Sequence, residues 1–150
     1  MPCLALLVFL LTSGCEQQQQ QHQSPAGLPV VKMNIGDRAF WLEVAKTSEQ
    51  QETGLMKRDS MPQDHGMIFT FSDDRVREFW MKNTRFPLDI LFVDAGGRVV
   101  SIFQMKAYDE STTSSQFPAR YAIELNEGLA AAAGAKVGDV LQIPRDARSP

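Results

Sequence analysis

The chain has 150 residues, a formal net charge of −3 at pH 7 and only two cysteines, Cys3 and Cys15. So small and scattered a charge does not form the basic surface that nucleic-acid binding requires. With both cysteines near the N-terminus, none is left downstream for a cysteine nucleophile, thiol redox chemistry or a cysteine-based zinc site.

The first segment has the pattern of an export signal. Residues 4–11 are an apolar run, far shorter than the roughly 20 residues that span a bilayer, and three small residues separate it from Cys15. This order resembles a bacterial lipobox, although Thr12 stands where leucine is usual and no basic residue comes first. We therefore expect residues 1–14 to be a lipoprotein-type signal peptide and Cys15 to carry lipid; an ordinary cleaved signal is the alternative. By the same resemblance, Glu16 after the cysteine favours the periplasmic face of the outer membrane.

The next segment is expected to be a flexible tether. Residues 15–29 contain five successive glutamines at 17–21 and then prolines and a glycine. Such a stretch has too little apolar surface to offset the entropy lost on ordering. One globular domain is then predicted at 30–145, long enough to bury a core, followed by a short tail at 146–150.

The domain is predicted to be rich in strands. Alternating or continuous apolar runs predict strands at 30–35, 39–44, 67–71, 77–82, 88–94, 98–105, 120–125 and 140–143. Gly36-Asp37 and the glycines at 96 and 97 supply turn residues for two hairpins.

Two short helices complete the predicted elements. Ser48 to Gln51 fits a capping box and predicts a helix at 49–56. Asn126 is expected to cap a second helix at 127–133, which Gly134 ends. Because strands dominate and helices are too few for a regular βαβ series, we predict an α+β fold. It would be a single domain with a mainly antiparallel, barrel-like sheet and two short helices.

Three segments together resemble a known family. They read GLMKRDSMPQDHGMIFTF at 54–71, FWMKNTRFPLDILFVD at 79–94 and AIELNEGLAAAAGAKVGDVL at 122–141. Their order and spacing resemble the domain of unknown function 192 family over nearly the whole predicted domain. The resemblance implies a bacterial or archaeal protein, often exported behind a signal peptide or lipobox. It implies no particular chemistry.

The middle segment contains the first candidate site. An ammonium, an amide and a hydroxyl group follow Trp80 in the run Lys82-Asn83-Thr84, and Asp89 lies within the next apolar strand. A buried carboxylate is costly unless it is paired or solvated. We expect Trp80, Lys82, Asn83 and Asp89 to line a polar ligand site. The alternative is structural, with Lys82 paired to Asp89 and Asn83 placed in a turn.

Two further groups could contribute to that site. Arg58 could bind an anionic group with both arms of its guanidinium. Glu124 alternates with apolar neighbours, and if it converged with Asp89 the two acids could form a pair for hydrolysis. His65 is the only histidine in the domain, so we expect no metal site and no cofactor. The methionines of the matched segments are interpreted as core residues.

The sequence therefore favours binding over catalysis. It contains no nucleophile elbow, metalloprotease motif, P-loop or dinucleotide fingerprint. We predict a non-catalytic accessory or ligand-binding lipoprotein of the cell envelope, whose polar pocket takes an anionic or hydroxyl-rich ligand such as an envelope glycan. One alternative is a carboxylate-dependent hydrolase that uses Asp64, Asp89 or Glu124. The other is an assembly module whose aromatic residues bind a protein partner.

Overall fold

The computed structural model describes residues 23–148. The predicted signal peptide, the predicted lipidation site Cys15, most of the predicted tether and the last two residues lie outside the described residues. Within residues 23–148, no helix is long and apolar enough to cross a bilayer.

The described part of the chain forms six strands and two short α-helices. In chain order these are β1 (Val30–Ile35), β2 (Arg38–Ala45), α1 (Ser48–Thr53), β3 (His65–Phe79), β4 (Leu88–Val93), β5 (Val99–Met105), β6 (Thr113–Asn126) and α2 (Leu129–Ala132). A 3₁₀ turn follows at Arg145–Ala147. The predicted strand at 140–143 is reduced to a single bridge between Arg98 and Val140.

The strands form one sheet in the order β1-β2-β3-β6-β4-β5. β2 and β3 are parallel and the other neighbours are antiparallel, so the sheet is mixed. The predicted single domain, dominated by strands and with two short helices, is confirmed. The edge strands β1 and β5 do not pair with each other, so the sheet is open and the predicted barrel-like closure is not confirmed.

The parallel pair depends on the crossover that contains α1, because parallel neighbours need a connection that returns to the same end of the sheet. α1 begins at a capping box in which the Thr47 side chain accepts the Gln50 N–H and the Gln50 side chain accepts the Thr47 N–H. The box lies one residue before the predicted one. The helix ends at Thr53, earlier than predicted, because Gly54 leaves the helical region with a φ of 46°.

β3 is one strand of 15 residues, not the two separate strands predicted at 67–71 and 77–82. The polar run between them looks like a loop in sequence, but it is an exposed irregularity within the strand. The register of β3 against β6 shifts between Thr70 and Arg75 and again between Val76 and Glu78. β6 correspondingly starts seven residues before the predicted position 120, because it pairs with the distal half of β3.

The predicted cap of the second helix is wrong. The Asn126 side chain donates to two carbonyl groups of the loop before β3, at 2.9 and 3.2 Å. α2 instead starts after Gly128, whose φ is 82° and which provides no side-chain cap. The Ala130 N–H donates to Asp89 Oδ2 at 2.8 Å, so a carboxylate from the sheet occupies the start of α2.

Apolar side chains cover both faces of the sheet. One cluster contains alternate residues of β1 and β2, α2 and the C-terminal segment around Leu141 and Ile143. The other lies under α1 and its following loop and contains three of the methionines that the sequence assigned to the core: Met61, Met67 and Met81. The candidate site lies on this second face.

Candidate functional site

The site begins with a row of four residues across the second face of the sheet. Glu43 on β2 pairs with Met67 on β3, Met67 pairs with Glu124 on β6, and Glu124 pairs with Ile90 on β4. Paired residues project to the same face. Two glutamates therefore lie on either side of Met67, and they are only 2% and 4% exposed. Buried carboxyl groups are costly unless they are compensated, so each one needs an explanation.

The cost of burying the Glu43 carboxyl group is offset by contacts with Arg58 and Ser24. Arg58 donates from both arms of its guanidinium to the two carboxylate oxygens, with Nη2 at 2.9 Å from Oε2. The Ser24 hydroxyl group also donates to Oε2. This bidentate arrangement is the strong form of an arginine–carboxylate contact. Arg58 is thus matched by Glu43 and is not available to an anionic ligand.

Glu124 has no such compensation. Among residues 23–148, no hydrogen bond or ion pair is made by its carboxyl group. Burial raises the pKa of Glu124 to about 8, although the nearby charge of Arg58 partly opposes this rise. At neutral pH the folded protein therefore holds Glu124 mainly as a neutral acid.

Glu124 lines a small cavity that adjoins a larger groove. The cavity has a volume of about 30 Å³, and its walls include Phe69, Phe79, Trp80 and Thr84 together with the C-terminal end of α1. A groove of about 510 Å³ shares the Phe79 and Trp80 walls with the cavity and continues along β3. The Trp80 side chain is 45% exposed, so it presents an aromatic surface beside the buried acid.

Lys82 lies at the rim of the site, and Asn83 lies in the turn that follows it. The Lys82 ammonium nitrogen is 5.0 Å from the centre of the Trp80 ring, within range of a cation–π contact. Asn83 is exposed in a turn with a φ of 56°, and its carbonyl oxygen accepts the Lys57 N–H at 2.8 Å. This placement agrees with the structural alternative for Asn83. Lys82 and Asp89 do not form the ion pair that the same alternative required.

Asp89 lies on the opposite face of the sheet. It pairs in register with Leu125, so its side chain projects away from Glu124, the preceding residue of β6. One of its oxygens accepts the Ala130 N–H, and the other is buried with no partner among the described residues. Asp89 and Glu124 therefore do not form the carboxylate pair that the sequence left open. Asp64 is also occupied, because it contacts His65 Nδ1 at 2.8 Å.

Of the candidates chosen from sequence, the structure brings Arg58, Trp80 and Glu124 together on one face, with Lys82 at the edge. It separates Asp89 and Asn83 from them. Sequence reasoning missed Glu43, which determines the role of Arg58. A signal was present, because both buried glutamates interrupt apolar runs, in WLEVA and in AIELN.

The chain is similar to one protein family and to several solved structures. Residues 31–143 match the model of DUF192, described as "Uncharacterized ACR". One similar crystal structure is that of a protein of unknown function from Novosphingobium aromaticivorans DSM 12444. The two sequences are 36% identical, the match covers 80% of this chain and 90% of that protein's chain, and the TM-score is 0.73. A second crystal structure is that of a Sinorhizobium meliloti 1021 protein described as a "putative transcription regulator". It is 35% identical, the match covers 75% of this chain and 91% of that protein's chain, and the TM-score is 0.70. No curated protein matches the chain.

Proposed function

This chain belongs to the domain of unknown function 192 family, as its three sequence segments predicted, and we propose that it is a non-catalytic, ligand-binding lipoprotein of the cell envelope. In this proposal, residues 1–14 direct export and lipid on Cys15 holds the protein at the periplasmic face of the outer membrane. The domain then binds a polar ligand, such as an envelope glycan, in the cleft between Trp80 and Glu124.

One observation carries the proposal: an unpaired buried carboxyl group opens into a cleft beside a half-exposed tryptophan. Ligand sites typically combine apolar or aromatic walls with a few polar groups that fix orientation. The Trp80 ring can stack on the apolar face of a sugar while Glu124 bonds a polar substituent. An anionic ligand is disfavoured, since Arg58 is matched by Glu43.

The arrangement supports binding over the hydrolase alternative. Glycoside hydrolysis by two carboxyl groups needs both acids on the same substrate bond. Asp89 projects to the other face, Glu43 is tied to Arg58 and Asp64 is in contact with His65. A role like the one named for the Sinorhizobium meliloti protein is disfavoured, because a net charge of −3 offers little to a nucleic acid.

A thermal-shift screen of the full chain carrying Cys15→Ser against envelope glycans tests the proposal. A ligand at 100 times its Kd stabilises a fold by about 2.7 kcal/mol, which is a visible shift for a domain of this size. We expect Trp80→Ala and Glu124→Gln to remove the shift. Phe117→Ala should keep it, since Phe117 is similarly exposed but lines neither the cavity nor the groove. If no glycan shifts the unfolding temperature, the proposal fails and a protein partner becomes the better hypothesis.

A further inference from the structure

The charges around the small cavity balance except for one. Arg58 is matched by Glu43. At the rim, Glu52 of α1 and Lys82 carry opposite charges. Further along β3, His65 is in contact with Asp64. The other charged groups on the neighbouring strands are paired or lie elsewhere: Arg75 and Arg77 contact Asp73, and Arg120 contacts Asp74. Asp89 projects to the opposite face, and Glu78 is exposed in the groove. An ionised Glu124 would therefore add a single negative charge without an ion-pair partner among residues 23–148, because the nearby Arg58 is already bound to Glu43.

The walls and the size of the cavity restrict what can supply the missing charge. Three of the walls are the aromatic residues Phe69, Phe79 and Trp80, and aromatic rings attract cations through their negative faces. The Lys82 ammonium already lies over the Trp80 ring, which shows that this ring accepts such a group. A volume of about 30 Å³ matches the space of a single water-sized group. A primary ammonium group fits this volume, whereas a guanidinium or a quaternary ammonium group is bulkier.

We propose that the cavity receives the primary ammonium group of an amine-bearing ligand, such as an amino sugar, and that ionised Glu124 is its counter-ion. This inference rests on the proposed function and narrows its ligand class. The three ammonium protons can be shared between the two carboxylate oxygens and the Thr84 hydroxyl, which lines the same cavity. The remainder of the ligand lies along the groove and against Trp80.

An ammonium group fits this site better than a hydroxyl group or a metal ion. A hydroxyl group could hydrogen-bond to the neutral acid but would leave the aromatic walls without a cation to attract. A metal ion needs several oxygen, nitrogen or sulphur ligands. In the part of the chain that the structure describes, no three acidic, histidine or cysteine residues converge on such a position.

Binding of an ammonium group would expel a proton. In the free protein at pH 7, Glu124 is mainly protonated, because its pKa is raised to about 8 by burial. The ammonium pairs with the ionised form only, so binding releases about one proton per ligand at pH 7. Affinity should therefore rise about tenfold per pH unit up to about pH 8 and then level off. The affinity of a hydroxyl ligand that hydrogen-bonds to the neutral acid should instead fall above about pH 8, where Glu124 ionises.

Titration calorimetry with two matched probes tests this inference. 6-Aminohexanol carries an ammonium group across the relevant pH range, and 1,6-hexanediol has a hydroxyl group in the same place. The full chain carrying Cys15→Ser is titrated with each, at several pH values and in buffers of different ionisation enthalpy. We expect the amine to bind with release of about one proton at pH 7, and the diol to bind at least about tenfold more weakly.

Three variants assign the effect to the cavity. Glu124→Gln should abolish both the proton release and the pH dependence. Trp80→Ala removes an exposed ring, so it should fold, and we expect weaker binding that keeps the pH dependence. Glu127→Gln is the matched control, because Glu127 is an exposed acid that lines neither the cavity nor the groove. Its binding should equal that of the unmodified chain.

The possible outcomes separate this inference from the proposed function. Equal binding of the diol, or amine binding that survives Glu124→Gln, overturns the ammonium assignment and leaves a glycan site possible. The ammonium assignment also fails if neither probe binds while a glycan still shifts the unfolding temperature. If neither probe nor any glycan binds, the inference and the proposed function both fail.

Discussion

At the residue scale, the two buried glutamates show how environment decides the role of a side chain. Glu43 and Glu124 occupy equivalent places on either side of Met67, and both are almost inaccessible. Arg58 and Ser24 converge on Glu43 only. Charge and hydrogen bonding favour a carboxylate, whereas burial without a partner favours the neutral acid. The same residue type is therefore a structural anchor in one strand and a candidate ligand group two strands away.

The raised pKa of Glu124 predicts that the protein loses stability as the pH rises. The folded pKa of about 8 lies above the ordinary value of 4.5, so the folded state holds a proton that the unfolded chain releases. This contribution is fully present below pH 4.5 and is lost as the pH rises through about 8. Between those values, the free energy of unfolding should fall by about 1.4 kcal/mol per pH unit from this group.

Urea unfolding of the wild type and of Glu124→Gln at several pH values measures this effect. The amide cannot ionise, so the stability of the variant should rise relative to the wild type with increasing pH. Other titrating groups are shared and cancel in the difference. A difference that stays constant with pH would show that Glu124 does not titrate in this range.

At the element scale, one close approach connects the first hairpin to α2. The turn between β1 and β2 contains Gly36, with a φ of 54°, and the Asp37 N–H donates to the Ala133 carbonyl at 2.8 Å. A Cβ atom at position 36 would lie 1.8 Å from the Ala133 carbonyl oxygen. The hairpin and the end of α2 therefore pack at a distance that only glycine permits.

Replacement of two glycines separates the steric effect from the backbone effect. Gly36→Ala should destabilise the protein by more than about 2 kcal/mol, because left-handed strain and a clash with backbone are added together. Gly27→Ala should cost only about 1 kcal/mol, since Gly27 has a φ of 69° but has nothing within 4 Å of its added Cβ. Equal losses in chemical denaturation would show that the contact with Ala133 contributes little.

At the scale of the whole molecule, the segment that precedes β1 already packs against the folded domain. Ser24 donates to Glu43, and the Pro29 carbonyl accepts the Val44 N–H at 2.8 Å. Leu28 packs against the apolar cluster that surrounds the site. Residues 24–29, which the sequence assigned to the tether, thus contact the same face as the candidate cavity.

Removal of this segment should weaken the fold. A chain shortened to begin at Pro29 leaves Glu43 without its hydroxyl donor, and a hydrogen bond to a charged group contributes about 2 kcal/mol. Ser24→Ala in the full chain should reproduce most of that loss in the free energy of unfolding. A chain that begins at Gln23 is the control and should match the full chain. Unchanged stability of the chain that begins at Pro29 would contradict a role for the segment.

Local sequence patterns predicted the elements that local forces determine. β1 was predicted at its observed bounds because buried and exposed residues alternate along it. The two parts of β3 were predicted as separate strands, since the polar residues between them resemble a loop and only pairing with β6 joins them. Asn126 was assigned to a helix cap, which is the common local role of asparagine, but its partners lie more than 60 residues away.

The sequence by itself indicated the family, through the resemblance of three segments, and it predicted a strand-rich domain and most strand positions. The strand predictions follow from residue type and periodicity, which are local properties of the chain. The sequence also predicted Arg58, Trp80 and Glu124 as candidate site residues. Only the tertiary structure decided that Arg58 is matched by Glu43, that Asp89 projects away from Glu124 and that Glu124 is left unpaired in a cavity. Strand register and the packing of distant segments determine these contacts, and neither can be read from local patterns.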